Sequence, residues 1–256
     1  MNKFKVLACA GLMSVLAACG GGSDAPATPP VVVTPPPVDQ LPGGLWFGTM
    51  TFDAAMGSED VIGMVSEDGR LRLISADTLT QMSALVTVAG TSLTGDGKAF
   101  ASPGGIWPDG STVGDLSIAA TVAQRNTMSG AWSTTATESG TFDLYYDDFY
   151  ERDSSLSLLS GMWTAYDDLG NPDVTFTIQN SGSFDGQNMQ GCVSNGQISI
   201  IDSRFDLYAV QSTISGCGIA GDYSGLISIF DLISQNDAMV FVVDNGSTAI
   251  LLGLQK

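Results

Sequence analysis

The chain contains no histidine among its 256 residues. This absence excludes Ser-His-Asp and Cys-His catalysis, and it removes the commonest zinc ligand and general base. The sequence also lacks a Gly-x-Ser-x-Gly elbow, a phosphate-binding glycine loop and a dinucleotide fingerprint. Carboxylate-pair catalysis is the one enzymatic route left open, but 27 acidic residues make an accidental pair common. We therefore expect neither an enzyme nor a cofactor.

Basic residues are scarce as well. The chain has nine lysines and arginines in total and 27 acidic residues, which gives a net charge of −18. Such a chain is repelled by phosphate backbones, so we exclude nucleic acid as a partner. The charge either attracts cations or basic proteins, or keeps the surface soluble, and we favour solubility. A hydrophobic content of 44% with 31 glycines is too apolar for disorder and favours a turn-rich β protein.

Long apolar runs are missing except at the beginning of the chain. Lys3 and Lys5 precede an apolar core of 13 residues, Val6 to Ala18. That core is too short to span a bilayer stably, and no later stretch reaches the roughly 18 uninterrupted apolar residues of a spanning helix. The pattern is typical of an export signal, which we assign to residues 1–18.

The end of this signal is Leu16-Ala17-Ala18-Cys19, followed by Gly20. It resembles the lipobox of bacterial lipoproteins. The resemblance implies that Cys19 carries diacylglycerol, that cleavage occurs before it and that the new amino group is acylated. Three acyl chains would hold the protein firmly on a membrane. Because Gly20 takes the place of the aspartate that retains lipoproteins at the inner membrane, the resemblance implies the outer membrane, without indicating the leaflet. A plain secretory signal is the alternative.

Residues 19–43 differ in composition from the rest of the chain. Seven of the ten prolines lie in this segment. Glycine and serine near Cys19 give flexibility, while the prolines favour extended polyproline II. We predict a disordered linker that reaches at most about 70 Å at 3.1 Å per residue.

Beyond the linker, short alternating runs separated by turn residues predict an all-β fold, an antiparallel barrel or sandwich. We place two small β modules at residues 44–150 and 158–256, with one continuous barrel or sandwich as the alternative. In Arg70-Leu71-Arg72-Leu73-Ile74 the arginines and leucines lie on opposite faces, as in a half-buried hairpin. Gly95-Asp96-Gly97 is predicted to be a turn.

A weak internal repeat supports two modules. Gly44-Leu45-Trp46 opens the first and Gly161-Met162-Trp163 opens the second. These openings resemble the first strand of lipocalin-type and avidin-type barrels. The resemblance implies that Trp46 and Trp163 close one end of a core, and we expect a structural role for both.

Two cysteines remain in the predicted mature modules, Cys192 and Cys217. In an oxidising envelope compartment an even pair predicts a disulfide. Closing a loop of about 25 residues contributes roughly 3 to 3.5 kcal/mol in the chain-entropy model. A reactive thiol or metal pair is the competing interpretation.

Two acidic segments are candidate binding sites. Tyr145, Tyr146, Asp147 and Asp148 begin a run that continues to Glu151 and Asp153. This run is either a recognition patch for a cation, sugar or basic partner, or a connector whose aromatics pack against both modules; we favour the connector.

The second segment offers hard oxygen ligands on a tight turn, from Asp167, Asp168 and Asp173. Its spacing does not match an EF-hand, and any hairpin turn uses the same residue types. We therefore assign no metal site but keep these residues as calcium candidates.

The sequence as a whole predicts a bacterial envelope protein, lipid-anchored to the outer membrane, with a non-enzymatic binding or scaffolding role. The partner would be an envelope protein or polysaccharide, besides the membrane itself. The alternatives are a carboxylate-dependent hydrolase of envelope polysaccharide and a carrier of a small apolar ligand.

Overall fold

The computed structural model describes residues 39–54, 57–167 and 169–256. Within these ranges, sixteen strands form two closed antiparallel barrels of eight strands each. This confirms the predicted all-β class and the two small β modules, in place of one continuous barrel or sandwich. The predicted signal, Cys19 and most of the linker lie outside the described residues. Among the described residues, no helix has the length and apolarity needed to cross a membrane.

The first barrel follows the chain strand by strand, and each strand pairs with the next. Six residue pairs between the first and last strands, from Leu45–Asp147 to Met50–Phe142, close it. Its strands are β1 Gly44–Phe52, β2 Gly57–Val65, β3 Arg70–Ser75, β4 Gln81–Ala89, β5 Ser92–Phe100, β6 Val113–Ala123, β7 Thr127–Thr134 and β8 Ser139–Asp147.

The second barrel repeats this order but closes more weakly. Its first and last strands share a single residue pair, Thr164 with Gln255. A 3₁₀ turn, Asp148–Glu151, and one helical turn, α1 Leu156–Leu159, connect the barrels. The strands are β9 Gly161–Tyr166, β10 Pro172–Ile178, β11 Ser183–Asn188, β12 Val193–Ile200, β13 Tyr208–Ser215, β14 Gly221–Phe230, β15 Ala238–Asp244 and β16 Ala249–Gln255.

Alternation of apolar and polar residues determines which face of each strand enters a barrel. In β6 the even-numbered residues from Gly114 to Val122 are buried, and the odd-numbered ones from Asp115 to Thr121 are exposed. Successive side chains of a strand point to opposite faces, so β6 contributes its apolar half to the core. Both barrels are filled by such side chains.

The predicted turn at Gly95-Asp96-Gly97 is wrong, because these residues lie inside β5. The chain turns instead at Gly90 and Thr91, where Gly90 has a φ of 63°. Glycine is needed at position 97 for another reason: a Cβ there would overlap the carbonyl oxygen of Ser83 on β4. Close approach of the neighbouring strand β4, rather than a turn, explains this glycine.

The two tryptophans of the repeat occupy equivalent positions. Trp46 and Trp163 are fully buried near the beginnings of β1 and β9. The indole N–H of Trp46 donates to the carbonyl of Pro42 at 3.3 Å, and that of Trp163 donates to the carbonyl of Leu159 at 2.6 Å. Each indole therefore fills its core while satisfying its polar atom four residues back.

A third apolar cluster joins the barrels through faces that point outward from each of them. It combines residues of both barrels with one from the connector: Leu45, Met64, Ile74, Tyr150, Phe205, Leu207, Leu226 and Val242. The two barrels thus share buried surface in addition to their own cores.

This shared interface corrects the prediction of a half-buried hairpin at β3. Leu71 and Leu73 do face the core, but Arg72, on the opposite face, is buried against the second barrel. Its Nη2 lies 2.9 Å from Asp244 Oδ2, and its Nη1 donates to the carbonyl of Leu71 at 3.0 Å. Only Arg70 remains on an open surface, with 45% of its side chain exposed.

Candidate functional site

The aromatic and acidic run predicted as a recognition patch lies at the end of β8 and in the connector. The Tyr146 ring packs edge-on against Trp46 at 5.4 Å, and its hydroxyl donates to Glu151 Oε1 at 3.1 Å. Asp147 caps the 3₁₀ turn by accepting the backbone N–H of Phe149 at 2.8 Å. Tyr145 and Asp148 are exposed. Tyr146 and Asp147 are thus engaged within the fold.

The following aromatics pack between the barrels. Tyr150 stacks on Phe205 of the second barrel at 4.6 Å, and its hydroxyl donates to Glu67 of the first at 3.1 Å. Burial and the nearby carboxylate of Glu67 raise the pKa of Tyr150. Arg152 forms a bidentate pair with Asp231 at 2.9 and 2.7 Å. These contacts are those of a connector that packs against both modules.

The calcium candidates do not form a cluster in the described part of the chain. The carboxylate of Asp167 accepts the backbone N–H groups of Leu169 at 2.9 Å and Asn171 at 2.8 Å, which lowers its pKa. Asp168 lies outside the described residues, and Asp173 lies at the start of β10. Among the described residues, no three Asp, Glu, Cys or His side chains are placed to hold a metal. Asp167 stabilises its own turn.

The predicted disulfide is present between Cys192 and Cys217, whose Cα atoms are 5.1 Å apart. Cys192 immediately precedes β12, and Cys217 lies between β13 and β14. Because the strands run alternately up and down, the turns that hold the two cysteines lie at the same end of the second barrel. The disulfide therefore ties together two of the loops at this end.

The same end of the second barrel contains an apolar recess of about 190 Å³. The rings of Phe176 and Phe241, stacked at 5.3 Å, form part of its wall. We call this cavity the recess. Its apolar lining comes from inward-facing side chains of four strands, namely Val174, Phe176, Ile214, Phe241, Ile250 and Leu252.

Two serine hydroxyls provide polar groups in the lining of the recess. Ser194 and Ser212 are buried on neighbouring strands, and their hydroxyl oxygens are 2.7 Å apart. One hydroxyl donates to the other, so one O–H of the pair remains available to a bound polar atom. Asp173 and Asn188 add polar groups to the lining. The recess thus combines apolar walls with a few polar groups that could orient a ligand.

Sequence reasoning did not find the recess. The available signal was the small size of residues at inward positions near one end of the barrel. Along β12 the inward positions are Ser194, Gly196 and Ile198, and Ser212 pairs with Gly196 across the ladder. Small side chains at successive inward positions leave space that the opposite end, with larger residues, does not.

A second cavity, of about 400 Å³, lies at one end of the first barrel. Its lining includes Trp107 and two carboxylates, those of Glu59 and Glu138. Glu138 Oε1 accepts the backbone N–H of Ala54 at 2.9 Å, and Glu59 Oε2 accepts the hydroxyl of Thr78 at 2.8 Å. Both carboxylates therefore hold neighbouring loops in place.

A third concavity, of about 600 Å³, runs over the outer face of β12, β13 and β14. Its polar groups are largely bonded within the protein. Thr213 Oγ1 donates to Asp222 Oδ1 at 2.7 Å, and Gln197 Nε2 donates to the carbonyl of Ser181 at 2.8 Å. Of these three cavities, the recess has the most strongly apolar walls.

The sequence matches no protein-family model and no curated protein. Among solved structures, it is similar to a candidate outer membrane protein of Bacteroides fragilis. The two chains are 12% identical, with a TM-score of 0.30 over 84% of this chain and 97% of the other.

Proposed function

We propose that the protein is a lipid-anchored protein of the bacterial outer membrane that binds a small apolar ligand, or one apolar group of a larger ligand, in the recess. The observation that carries the ligand-binding proposal is the apolar cavity at one end of the second barrel, with its buried serine pair. The anchor rests on the lipobox resemblance at Cys19. No catalytic step is proposed.

Size and architecture support this function. An apolar cavity of about 150 Å³ is large enough to bind benzene. The recess, at about 190 Å³, is therefore large enough for one ring or a short alkyl segment. Eight-stranded barrels of lipocalin and streptavidin type hold one small ligand within the barrel. Here most of the interior is filled, so the ligand would enter only one end.

The ligand-binding proposal predicts that residues 20–256 bind the neutral dye N-phenyl-1-naphthylamine saturably, with its phenyl ring in the recess and its naphthyl group at the opening. Replacing Ile214, which lines the recess, by Trp places a large ring in the cavity. We expect Ile214→Trp to weaken dye binding by roughly tenfold or more, since tenfold corresponds to about 1.4 kcal/mol of lost contact. Fluorescence titration measures the change.

The matched control is Ile200→Trp. Ile200 is 38% exposed and lies at the other end of β12, so the same ring is added away from the recess. This variant should bind the dye within twofold of the original protein. Equal affinity of all three proteins would contradict binding in the recess.

The anchor has its own test. In a bacterial host that processes lipoproteins, the original chain should incorporate labelled palmitate and remain with the membranes. Cys19→Ala should abolish both, because the cysteine sulfur is where the diacylglycerol would be attached. Unchanged palmitate labelling of Cys19→Ala would contradict the anchor while leaving the recess untouched.

A further inference from the structure

We infer that the end of the second barrel around the recess docks onto an electrically neutral lipid bilayer through apolar loop tips. The surface consists of Tyr166, Leu169, Met189 and Ile219, which we call the apolar rim. This inference rests on the proposed function: it assumes that the recess binds an apolar ligand and adds that the ligand comes from a membrane.

The topology places the rim at one end of the barrel. Tyr166 ends β9, and Leu169 lies in the loop to β10. Met189 follows β11, and Ile219 lies between β13 and β14, where it also lines the recess. Since neighbouring strands are antiparallel, these three loops emerge together.

The rim side chains are exposed although they are apolar. Leu169 and Met189, at the loop tips, are 86% and 77% exposed, and Tyr166 is 50% exposed. Single exposed apolar residues are ordinary, but several around one apolar cavity are a feature of interaction surfaces. Ile219 belongs both to the rim and to the lining of the recess, so the rim adjoins the cavity.

Local hydrogen bonds hold the tips in place. The N–H of Leu169 is bonded to Asp167 Oδ1 at 2.9 Å, and the N–H of Met189 donates to the carbonyl of Asp173 at 3.0 Å. The disulfide from Cys192 to Cys217 fixes the loops that carry Met189 and Ile219 relative to each other. The apolar side chains are thus presented outward in a preorganised arrangement, which reduces the entropy lost on docking.

The charge at the rim end of the second barrel indicates which kind of lipid surface this end can approach. In the second barrel, no lysine or arginine occurs from Gly161 to Ser203, and Arg204 and Lys256 lie next to the opposite end. Arg72 of the first barrel, which lies near the rim end, is buried in its ion pair with Asp244. The carboxylates of Asp167 and Asp173 lie beside the rim, in the loop of Leu169 and in the lining of the recess. Anionic lipids would repel this end, whereas a neutral bilayer accepts apolar side chains at its interface without that cost.

The predicted linker allows the rim to reach the membrane that holds the anchor. The linker ends at residue 43, next to the beginning of β1 in the first barrel. A strand of nine residues is about 30 Å long at 3.3 Å per residue. A linker of up to about 70 Å at 3.1 Å per residue is more than twice that length. The predicted linker therefore exceeds the length of the first barrel, as docking of the rim on the anchored membrane requires.

The test uses residues 20–256, which lack the predicted signal and the lipidated cysteine. Both barrels, their shared core and the disulfide all lie within residues 39–256. We expect this protein to float with phosphatidylcholine vesicles. Replacing about 30% of the lipid by phosphatidylglycerol gives the vesicles a negative surface charge and should weaken binding. Added salt should restore binding, because salt screens the repulsion. Stronger binding to the anionic vesicles would overturn the inference.

Variants locate the contact. Leu169→Ser combined with Met189→Ser removes the two most exposed rim side chains and should lower vesicle binding roughly tenfold or more. Leu232→Ser combined with Ile233→Ser is the matched control, since Leu232 and Ile233 are 59% and 89% exposed at the opposite end. The control should bind vesicles within twofold of the original protein.

The remaining outcomes separate this inference from the proposed function. Equal loss in both double variants, or no vesicle binding at all, would overturn docking through the rim. If N-phenyl-1-naphthylamine still binds in the recess in that case, the proposed function stands without membrane docking. If the rim variant changes only self-association in sedimentation, the rim binds a second copy of the chain and the inference is wrong.

Discussion

Arg72→Met should lower the free energy of unfolding by about 3–5 kcal/mol, the usual effect of removing one partner from a buried ion pair. Arg72 and Asp244 have only 8% and 14% of their side chains exposed, and they join the two barrels. Arg72 Nη2 also donates to the carbonyl of Ser224 at 3.3 Å. The variant would leave the Asp244 carboxylate at the interface without its cation. Urea denaturation measures the loss.

Two further variants test the reason for this loss. Arg70→Met alters the same strand two residues earlier, where the pair with Asp68 is 45% exposed on both sides and should contribute less than about 1 kcal/mol. Combining Arg72→Met with Asp244→Asn removes both charges and retains an oxygen for the N–H of Gly246, which Asp244 Oδ1 accepts at 3.0 Å. This double variant should be more stable than Arg72→Met alone. Equal effects of Arg70→Met and Arg72→Met would contradict the buried interface.

The second large effect concerns Asp206, whose burial raises its pKa to about 7. The residue is 3% exposed, and the N–H of Ile229 and hydroxyl of Ser228 donate to its Oδ2 at 3.1 and 3.2 Å. These bonds and the charge of Arg152 favour ionisation, but burial outweighs them. The folded state therefore retains a proton that the unfolded chain releases near pH 4.

The sign of the pH dependence follows from this difference. Between about pH 4 and pH 7 the folded protein binds one more proton at Asp206 than the unfolded chain. Stability from this group is fully present below pH 4 and is lost as the pH rises to 7, by up to about 4 kcal/mol at 1.36 kcal/mol per unit. Asp206→Asn should be more stable than the original protein at pH 8, by about 2–4 kcal/mol, and similar to it at pH 4.

Asp202→Asn is the control for this experiment. Hydrogen bonds from Arg204 lower the pKa of Asp202 to about 2, so its carboxylate is ionised throughout the range from pH 4 to pH 8. Its replacement should change the difference in stability between these two pH values only slightly, because the unfolded carboxyl binds a proton only near pH 4 and below. Urea denaturation of the three proteins at both pH values separates the outcomes. If stability falls as much between pH 4 and pH 8 in Asp206→Asn as in the original protein, a group other than Asp206 is responsible for the fall.

The sequence predicted the fold class because alternation is a local signal. The repeated Gly-x-Trp openings also identified two equivalent strands, and the structure places Trp46 and Trp163 at matching positions with matching hydrogen bonds. The positions of turns were less predictable. A glycine in the sequence does not show whether it forms a turn or, as at Gly95 and Gly97, allows close approach of β4.

Contacts between the barrels could not be predicted from local patterns. The sequence pattern predicts that Arg72 is exposed to solvent, because charged residues usually lie on the solvent-facing side of a strand. Its burial depends on Asp244, 172 positions later, and on an apolar cluster assembled from both barrels. The recess depends on space left by Ser194 and Ser212, which pack against residues distant in the sequence. Such features require the three-dimensional arrangement.

The central claim is that an apolar ligand enters the recess of the second barrel. Crystals of residues 20–256 grown with 1-bromonaphthalene test it directly, because anomalous scattering locates the bromine. One strong bromine peak is expected in van der Waals contact with Phe241 and Ile214, which line the recess. A peak within the first barrel instead, or no ordered bromine at saturating ligand, would contradict it.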